Sequence, residues 1–313
     1  MSAPMRLIFM GTPEAAVPSL RRCIEDGHEV VAVWTQPDRP SGRGNKLTAS
    51  PVKQFALRHN LPVYQFAKIK TEEALEVFAS YGADASVVVA YGRILPLSFL
   101  QTPLNGCINV HFSLLPKYRG AAPVNWAIVR GETRTGVTTM RIDEGLDTGA
   151  ILLQRETEIG PEETAPQLMN RLAELGAGAL SDTLNRIDGI EARAQNDEEA
   201  THAPVLRRED GLINWSSSAG EIERRVRGFQ PWPNAYTLVE NRRLVIWRAS
   251  VLERIDGDDP AGELVEANGD SLVVRCGEGT GLRLLEVQPE TKRMMSARDF
   301  LNGARLKKGV RLG

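Results

Sequence analysis

The sequence predicts an α/β protein whose mostly parallel sheet carries helices on both faces, followed by a second, β-rich domain. Three observations support this fold class. Strand-like and helix-like segments alternate over the first 188 residues, as in parallel βαβ units. Residues 85–90 are almost continuously apolar and rich in β-branched side chains, which is typical of a strand buried on both faces. Beyond residue 205, short alternating strands are separated by turn residues.

The length of 313 residues suggests two domains. We place the α/β domain at residues 1–188 and the β-rich domain at residues 205–313. Between them, residues 189–204 contain Gly189, Pro204 and the polar run 195–197 with little periodicity. This composition favours a linker.

Each element of the first domain follows from its local sequence. After the short apolar strand at residues 6–10, Gly11 turns the chain into a helix for which Thr12 is a suitable N-cap and Pro13 a suitable first residue. Apolar runs predict the further strands at residues 29–34, 62–64, 85–90, 107–112, 137–142 and 151–154. Helical periodicity predicts helices at residues 52–59, 72–79, 123–129 and 167–187. The alternation favours a Rossmann-like sheet.

The second domain opens with a helix at residues 221–229, because Ser218 and Glu221 match a capping box. Turn residues at 268–269 and 277–281 separate strands that alternate apolar and polar side chains. The strands are predicted at residues 235–239, 244–250, 271–275 and 282–287, and a small helix at residues 296–301. Short strands in this arrangement favour a small, OB-like barrel.

The composition excludes several classes of protein. A hydrophobic share of 42% and a charged share of 25% predict a packed core rather than disorder. No apolar run approaches the roughly 18 residues that a membrane-spanning helix needs. Cys23, Cys107 and Cys276 show neither a disulfide pattern nor metal-ligand spacing, and the histidines are dispersed. We therefore expect a cytoplasmic protein without a metal.

Positive charge is concentrated near the C-terminus. Residues 204–313 carry a net charge of +2, whereas residues 1–203 carry −4. The basic residues of the last stretch, which has Asp299 as its local acid, are Lys292, Arg293, Arg298, Arg305, Lys307, Lys308 and Arg311. Such a cluster could contact phosphates, although a solvated surface is the simpler interpretation of the pattern alone.

Ligands of open parallel sheets bind beyond the carboxyl ends of the strands, so polar residues there are candidates for a site. Asn109 and His111 alternate along one predicted strand and therefore project from the same face, about 7 Å apart. An amide beside an imidazole can stabilise an oxyanion and move a proton. Taken alone, the two residues could equally form a hydrogen-bonded pair in the core.

Two loops complete the candidate region. The loop at residues 113–123 is long and rich in turn formers, and it could close over a flat apolar ligand. The turn at residues 143–149 supplies three carboxylates and two glycines between two strands. Asp147 in this turn could orient His111 or relay protons through water, although turns of this composition are common.

Together these motifs resemble the signature of the folate-dependent formyltransferases. Asn-Val-His-Phe-Ser-Leu-Leu-Pro at 109–116 and Leu-Asp-Thr-Gly at 146–149 match it in order and spacing. The resemblance implies that Asn109, His111 and Asp147 are catalytic. It also implies a folate site formed by Arg93, Ile94, Leu95, Ser113, Leu114, Leu115, Pro116, Asp143, Glu144 and Gly145. The donor would be 10-formyltetrahydrofolate, and no metal is required.

Further runs resemble the members of that family that act on tRNA. They lie at residues 36–47, 88–96, 119–123, 136–139, 231–233 and 295–297. The resemblance implies methionyl-initiator tRNA as formyl acceptor, an OB-like C-terminal domain that binds the tRNA, and formylmethionyl-tRNA for translation initiation as product. In the glycine-containing loop 36–47, Arg39, Arg43 and Lys46 would contact the acceptor stem. We expect this loop to be mobile and the protein to be a monomer.

Two departures from the family pattern and three alternatives remain. Phe112 occupies a position where a small residue is usual, and we expect it to affect packing because it points away from the Asn109 face. Asn45 replaces a residue that is often basic.

The alternatives are a formyltransferase of another acceptor, such as a sugar-nucleotide amine, a non-catalytic RNA-binding protein, and a dehydrogenase. The chain lacks the Gly-x-Gly-x-x-Gly fingerprint of the last class.

Overall fold

The computed structural model describes residues 3–41 and 46–313 of the chain. It divides into two compact units. The first comprises Met1–Pro123, Arg134–Glu158 and Met169–Ala203, and the second comprises Val124–Thr133, Ile159–Leu168 and Pro204–Gly313. Within the described residues, no helix is both long and apolar enough to cross a bilayer.

The first unit is built on a seven-stranded sheet in the order β10-β9-β7-β6-β1-β2-β5. The sheet strands are β1 (Arg6–Gly11), β2 (Glu29–Trp34), β5 (Val63–Tyr64), β6 (Ala85–Val89), β7 (Cys107–His111), β9 (Arg134–Arg141) and β10 (Ile151–Glu158). Strands β5, β2, β1, β6 and β7 pair in parallel, whereas β9 runs antiparallel to both β7 and β10. The predicted mostly parallel sheet is therefore confirmed.

Short strands outside this sheet form two further pairs. Strand β3 (Arg39–Ser41) pairs antiparallel with β4 (Lys46–Thr48). Strand β8 (Arg119–Gly120) pairs in parallel with β11 (His202–Ala203). The sequence predicted residues 36–47 as a loop, but parts of this segment form the paired strands β3 and β4. Arg43 and Asn45 lie outside the described residues.

Helices cover both faces of the sheet, as predicted. They are α1 (Val17–Glu25), α2 (Pro51–Arg58), α3 (Glu72–Ser80), α4 (Leu97–Gln101) and most of α6 (Ala165–Asn185), whereas α5 (Pro123–Val129) belongs, after its first residue, to the second unit. On one face, fully buried Trp34 packs against Phe78 of α3 and Phe99 of α4. On the other face, Gly176 of α6 lies so close to the sheet that a Cβ there would be 2.9 Å from Val110 Cγ1.

The predicted start of the first helix is wrong. Pro13 is extended, a 3-10 turn covers Glu14–Ala16, and α1 begins at Val17 without a side-chain cap. Thr12 is used elsewhere: its hydroxyl donates to the Tyr91 carbonyl (3.2 Å) and accepts from the Gln36 N–H (3.4 Å). A tertiary partner therefore replaces the local capping role that Thr12 could have had.

The second unit is built on a six-stranded antiparallel sheet in the order β12-β13-β16-β15-β14, with β17 on β16. Its strands are β12 (Tyr236–Val239), β13 (Arg242–Leu252), β14 (Leu264–Asn268), β15 (Ser271–Arg275), β16 (Gly281–Pro289) and β17 (Met295–Ser296). Its helices are α7 (Ala219–Gly228) and α8 (Ala297–Ala304). The architecture is consistent with the predicted OB-like domain, although strands β14 and β17 were not predicted from the sequence.

Local signals in this unit are followed closely by the structure. Ser218 caps α7, and its N–H is bonded in return by the Glu221 carboxylate, which confirms the predicted capping box. Ile222 and Val226 of this helix are buried in the core of the unit. The helix therefore combines a local start signal with an apolar face that packs on the sheet.

All three cysteine thiols are buried and free, and burial raises the pKa of Cys23, Cys107 and Cys276 to about 12. Because the thiolate is the reactive form, we expect the native protein to react with a disulfide reagent at pH 8 roughly 1,000-fold more slowly than free cysteine. In denaturant all three thiols should react rapidly. A native thiol that titrates at the rate of free cysteine would contradict this burial.

Candidate active site

Strand β7 positions the first two candidate residues. Asn109 lies at its middle, opposite Val88 of β6 and Met140 of β9, and it is half-buried. His111 ends the strand opposite Thr138, and its side chain is only 6% exposed. Since side chains two residues apart share one face of a strand, the amide and the imidazole project in the same direction.

The His111 ring lies between a backbone carbonyl and a carboxylate. Its Nε2 is 2.9 Å from the carbonyl oxygen of Tyr118, which can only accept, so Nε2 carries the proton of this hydrogen bond. Its Nδ1 faces Asp147 Oδ2 at 3.7 Å. That separation suits an ion pair or a bridging water rather than a direct hydrogen bond.

Asp147 is held in the turn 143–149 by its own side chain and by close backbone packing. Its φ of 55° is in the left-handed region, which non-glycine residues rarely adopt. Its Oδ2 accepts a hydrogen bond from the Gly120 N–H at 2.8 Å. At Gly149 a Cβ would overlap the Arg141 carbonyl oxygen, so the turn needs a glycine there.

The loop 113–123 is fixed largely by hydrogen bonds among its own groups and to the sheet. Ser113 Oγ donates to the Lys117 carbonyl at 2.6 Å. The Leu115 N–H donates to Thr138 Oγ1 at 3.1 Å, and the Leu115 carbonyl accepts from Gln154 at 2.8 Å. Leu115 itself is buried. These groups therefore shape the loop and are not free to bind a ligand.

Two of the stretches assigned to folate share a cavity of about 600 Å³. Ile94 and Leu95 line it from one side, and Glu144 lines it as well. Ile94 is 73% exposed, which is unusual for a large apolar side chain and leaves it free to contact a flat ligand. Residues 69–72 and Leu75 also line this cavity, but no sequence motif marks them.

Arg93, also assigned to folate, is engaged by backbone and side-chain partners. Its Nη1 donates to the Ala67 carbonyl at 2.6 Å and its Nη2 to Gln36 Oε1 at 3.1 Å. In the turn 143–149, Asp143 Oδ1 accepts from the Gly145 N–H and from Thr148 Oγ1. Arg93 thus links segments that are distant in sequence, whereas Asp143 stabilises its own turn.

The residues assigned to tRNA are only partly described. Arg39 is exposed on β3, Lys46 begins β4, and Arg43 lies outside the described residues. The negative charge of the nearby Asp38 carboxylate is neutralised by Lys53, whose Nζ donates to Oδ2 at 2.7 Å, and Gln65 donates to Oδ1. Hydrogen bonds from Lys53 and then Gln65 hold the pKa of Asp38 below its usual value. The carboxylate of Asp38 is therefore neutralised by Lys53 rather than by Arg39.

Within residues 3–41 and 46–313, no three or more His, Cys, Asp or Glu side chains form a group that could hold a metal ion. The candidate site instead offers an amide, an imidazole and a carboxylate. This set can stabilise a developing negative charge and transfer protons without a Lewis acid.

Comparison with protein families gives two matches that together span most of the chain. The model "Formyl transferase" matches residues 5–184, and the model "Formyl transferase, C-terminal domain" matches residues 205–305. The chain is 47% identical over 313 residues to the methionyl-tRNA formyltransferase of Geobacter metallireducens, covering 99% of both chains. It is 50% identical to the one of Solibacter usitatus over 311 residues, again 99% of both.

Solved structures share the fold at much lower sequence identity. An N-formyltransferase from Helicobacter canadensis, solved with folinic acid and dTDP-3-aminofucose, has a TM-score of 0.67 at 20% identity and covers 91% of this chain and 99% of its own. HypX from Aquifex aeolicus, solved with tetrahydrofolic acid, has a TM-score of 0.64 at 16% identity and covers 96% of this chain and 47% of its own.

Proposed function

The chain belongs to the methionyl-tRNA formyltransferase family, and from that premise we propose that its site transfers a formyl group between a folate and the amine of a charged tRNA. The donor is 10-formyltetrahydrofolate, and the acceptor is the α-amine of methionyl-initiator tRNA. The product is formylmethionyl-tRNA for translation initiation. The observation that carries the proposal is the position of His111 at the end of β7, where its Nδ1 faces Asp147 Oδ2 and Asn109 projects from the same face of the strand.

The proposed chemistry uses three side chains. The amine nitrogen attacks the formyl carbon, and the carbonyl oxygen gains negative charge that the Asn109 amide stabilises together with His111. Because Nε2–H of His111 already donates to Tyr118, the donor to this oxygen is Nδ1–H of the doubly protonated ring. When the intermediate collapses, the bond between the formyl carbon and folate N10 breaks and the new amide remains. The proton lost by the amine passes to N10 through a water held by Asp147. The amide nitrogen and N10 are therefore both neutral in the products.

For the folate we propose the ten positions that the family resemblance implies. Ile94, Leu95 and Glu144 line the 600 Å³ cavity and would contact the ligand directly. Arg93, Asp143 and Gly145 lie beside them in sequence. The loop positions Ser113, Leu114, Leu115 and Pro116 would shape the pocket through their backbone, because the polar groups of Ser113 and Leu115 already have partners.

For the tRNA we propose contacts from Arg39, Arg43 and Lys46, and from the C-terminal unit. That unit contains a cavity of about 760 Å³ whose lining carries four basic side chains and three acidic ones, a net charge of +1. Its cationic members are Arg242, Arg243, Lys292 and Arg293. Clustered cations in a cleft favour binding of nucleic-acid phosphates, and this supports a role in holding tRNA.

An assay with labelled formyl-folate tests the activity. We expect the purified protein to transfer label to methionyl-initiator tRNA, and to transfer little to uncharged tRNA. A sugar-nucleotide amine as the preferred acceptor would contradict the tRNA assignment. Binding of tRNA without formyl transfer would instead favour the non-catalytic RNA-binding alternative.

Replacing Arg39 by alanine is expected to raise the KM for tRNA several-fold with little change in kcat, because we propose for it a tRNA contact and no part in bond formation. The plot of log affinity against log salt concentration should lose about one unit of slope, since one phosphate contact is removed. The matched control is Arg134→Ala, whose guanidinium is already paired with Glu156 at 2.7 Å. An unchanged slope for Arg39→Ala would exclude its phosphate contact.

We also propose which function each domain performs and in which compartment the protein acts. Residues 1–188 would form the catalytic domain and residues 205–313 the tRNA-binding domain, joined by residues 189–204. Three free, buried cysteines and a tRNA substrate favour the cytoplasm. We propose a monomer, and light scattering on the purified protein tests this: a mass of twice 34.4 kDa would overturn it.

A further inference from the structure

We propose that Gln195 is a positioning residue that holds Asp147 in place for catalysis. The residue follows α6 in segment 189–204, outside every run that carries the family resemblance. Its side-chain amide joins the turn 143–149 to the loop 113–123, and so connects the two segments that lie on either side of His111. The inference rests on the proposed function, because it concerns the same carboxylate.

All the hydrogen-bonding capacity of the Gln195 N–H groups is used. Nε2 donates to the carbonyl oxygens of Asp147 (2.8 Å) and Gly149 (2.7 Å), and Oε1 accepts from Arg119 Nε (3.0 Å). The opposite amide orientation would place a carbonyl against two carbonyls and an NH₂ group against a guanidinium. The network therefore fixes which way the amide points.

Arg119 links Gln195 to the other side of the site. Its guanidinium is only 6% exposed and also pairs with Asp197 Oδ1 at 2.8 Å. The residue before it, Tyr118, accepts from His111, and the residue after it, Gly120, donates to Asp147. Gln195 thus binds the backbone of Asp147 and the side chain of Arg119. Arg119 in turn lies between the two residues of its loop that contact His111 and Asp147.

The backbone of Asp147 needs such support. Its φ of 55° is a conformation that a non-glycine residue keeps only when its surroundings enforce it. The preceding residues 143–146 are exposed, and Leu146 is 60% exposed, so they provide little packing for the turn. The two hydrogen bonds from Gln195 hold the carbonyl groups of Asp147 and Gly149, the residues on either side of Thr148. They therefore restrain the backbone of Asp147 directly.

Replacing Gln195 by methionine keeps the length of the side chain and removes its hydrogen bonds to Asp147, Gly149 and Arg119. We expect kcat to fall about 10- to 100-fold, as when the support of a catalytic group is lost. The KM values for folate and tRNA should change by less than about threefold, since the hydrogen bonds of the amide are made within the protein. A second variant, Gln195→Glu, keeps an acceptor for Arg119 but opposes oxygens to the two carbonyls, and it should lose as much.

The matched control is Asn196→Ala. Its side chain bonds only within the turn 196–199, where Nδ2 donates to Glu199 and Oδ1 accepts from the Glu198 N–H. This variant should keep the kcat of the wild type. Melting temperatures of all variants identify any loss that reflects unfolding rather than positioning.

A double-mutant cycle separates positioning from a general structural role. If Gln195 acts through Asp147, then Gln195→Met should lower kcat less than about twofold in an Asp147→Asn background, because the group it positions is gone. A structural role would give the full loss in both backgrounds. Hydrogen exchange adds a readout that needs no activity: the Gly120 amide, bonded to Asp147 Oδ2, should exchange faster in Gln195→Met.

The possible outcomes are distinguishable. A wild-type protein that does not formylate refutes the proposed function, and the exchange experiment then decides the role of Gln195 alone. An active wild type together with a Gln195→Met kcat within twofold of it overturns the inference. So does an equal loss in the Asp147→Asn background, or an unchanged exchange rate at Gly120.

Discussion

Replacing His111 by alanine is expected to lower kcat by about 10²–10³, because it removes one donor to the oxyanion that forms on the formyl oxygen. The affinity for methionyl-tRNA should hardly change, since the ring is 6% exposed and lies at the end of β7 rather than on a basic surface. Single-turnover formylation with saturating folate, together with tRNA binding, measures both quantities.

The control for this variant is another histidine. His59 is exposed at the end of α2, where its Nδ1 lies 3.0 Å from the Phe55 carbonyl and its ring stacks on Phe55. His59→Ala should leave kcat unchanged. If His111→Ala turned over at the rate of the wild type while remaining folded, His111 could not be the donor, and the assignment of the whole site would fail.

Replacing Asp147 by asparagine is expected to lower kcat by about 10²–10⁴, the range of a lost proton-transfer group. The asparagine oxygen can still accept from the Gly120 N–H, so the turn should keep its shape. What is lost is the negative charge that faces His111 Nδ1 at 3.7 Å and the capacity to take up a proton. The KM for folate should remain close to that of the wild type.

Asp143→Asn provides the comparison within the same turn. Asp143 Oδ1 accepts from Thr148 and Gly145, and an amide oxygen can replace it in both hydrogen bonds. We expect a far smaller loss of kcat for this variant. Equal losses for both variants would show that the turn responds to any loss of charge, and would leave Asp147 without a special role.

Much of the fold could be predicted from local patterns. The strand at residues 85–89 is buried at every position and apolar at every position except Ser86, because both faces of the sheet are covered. The capping box at Ser218 fixed the start of α7 because both of its hydrogen bonds form within four residues. Such signals act over short distances, so no knowledge of the tertiary structure is needed to interpret them.

Other features could not be found in this way. Thr12 has the side chain of a helix cap, yet its hydroxyl binds residues 24 and 79 positions away along the chain. Strand β14 alternates half-buried and exposed residues at most of its positions, so its local pattern is weak. Gln195 lies in a polar stretch without periodicity, and its partners are 46, 48 and 76 residues away.

The sequence by itself determined the alternation of strands and helices, the projection of Asn109 and His111 from one face of a strand, and the motifs that indicate the family. Each depends on the period of a single element or on the order of residues along the chain. The tertiary structure decided that Asp147 lies 3.7 Å from His111, and that Arg119 and Gln195 join their two segments. Those contacts follow from how distant segments pack, because hydrogen bonds between them form only once the sheet has brought them together.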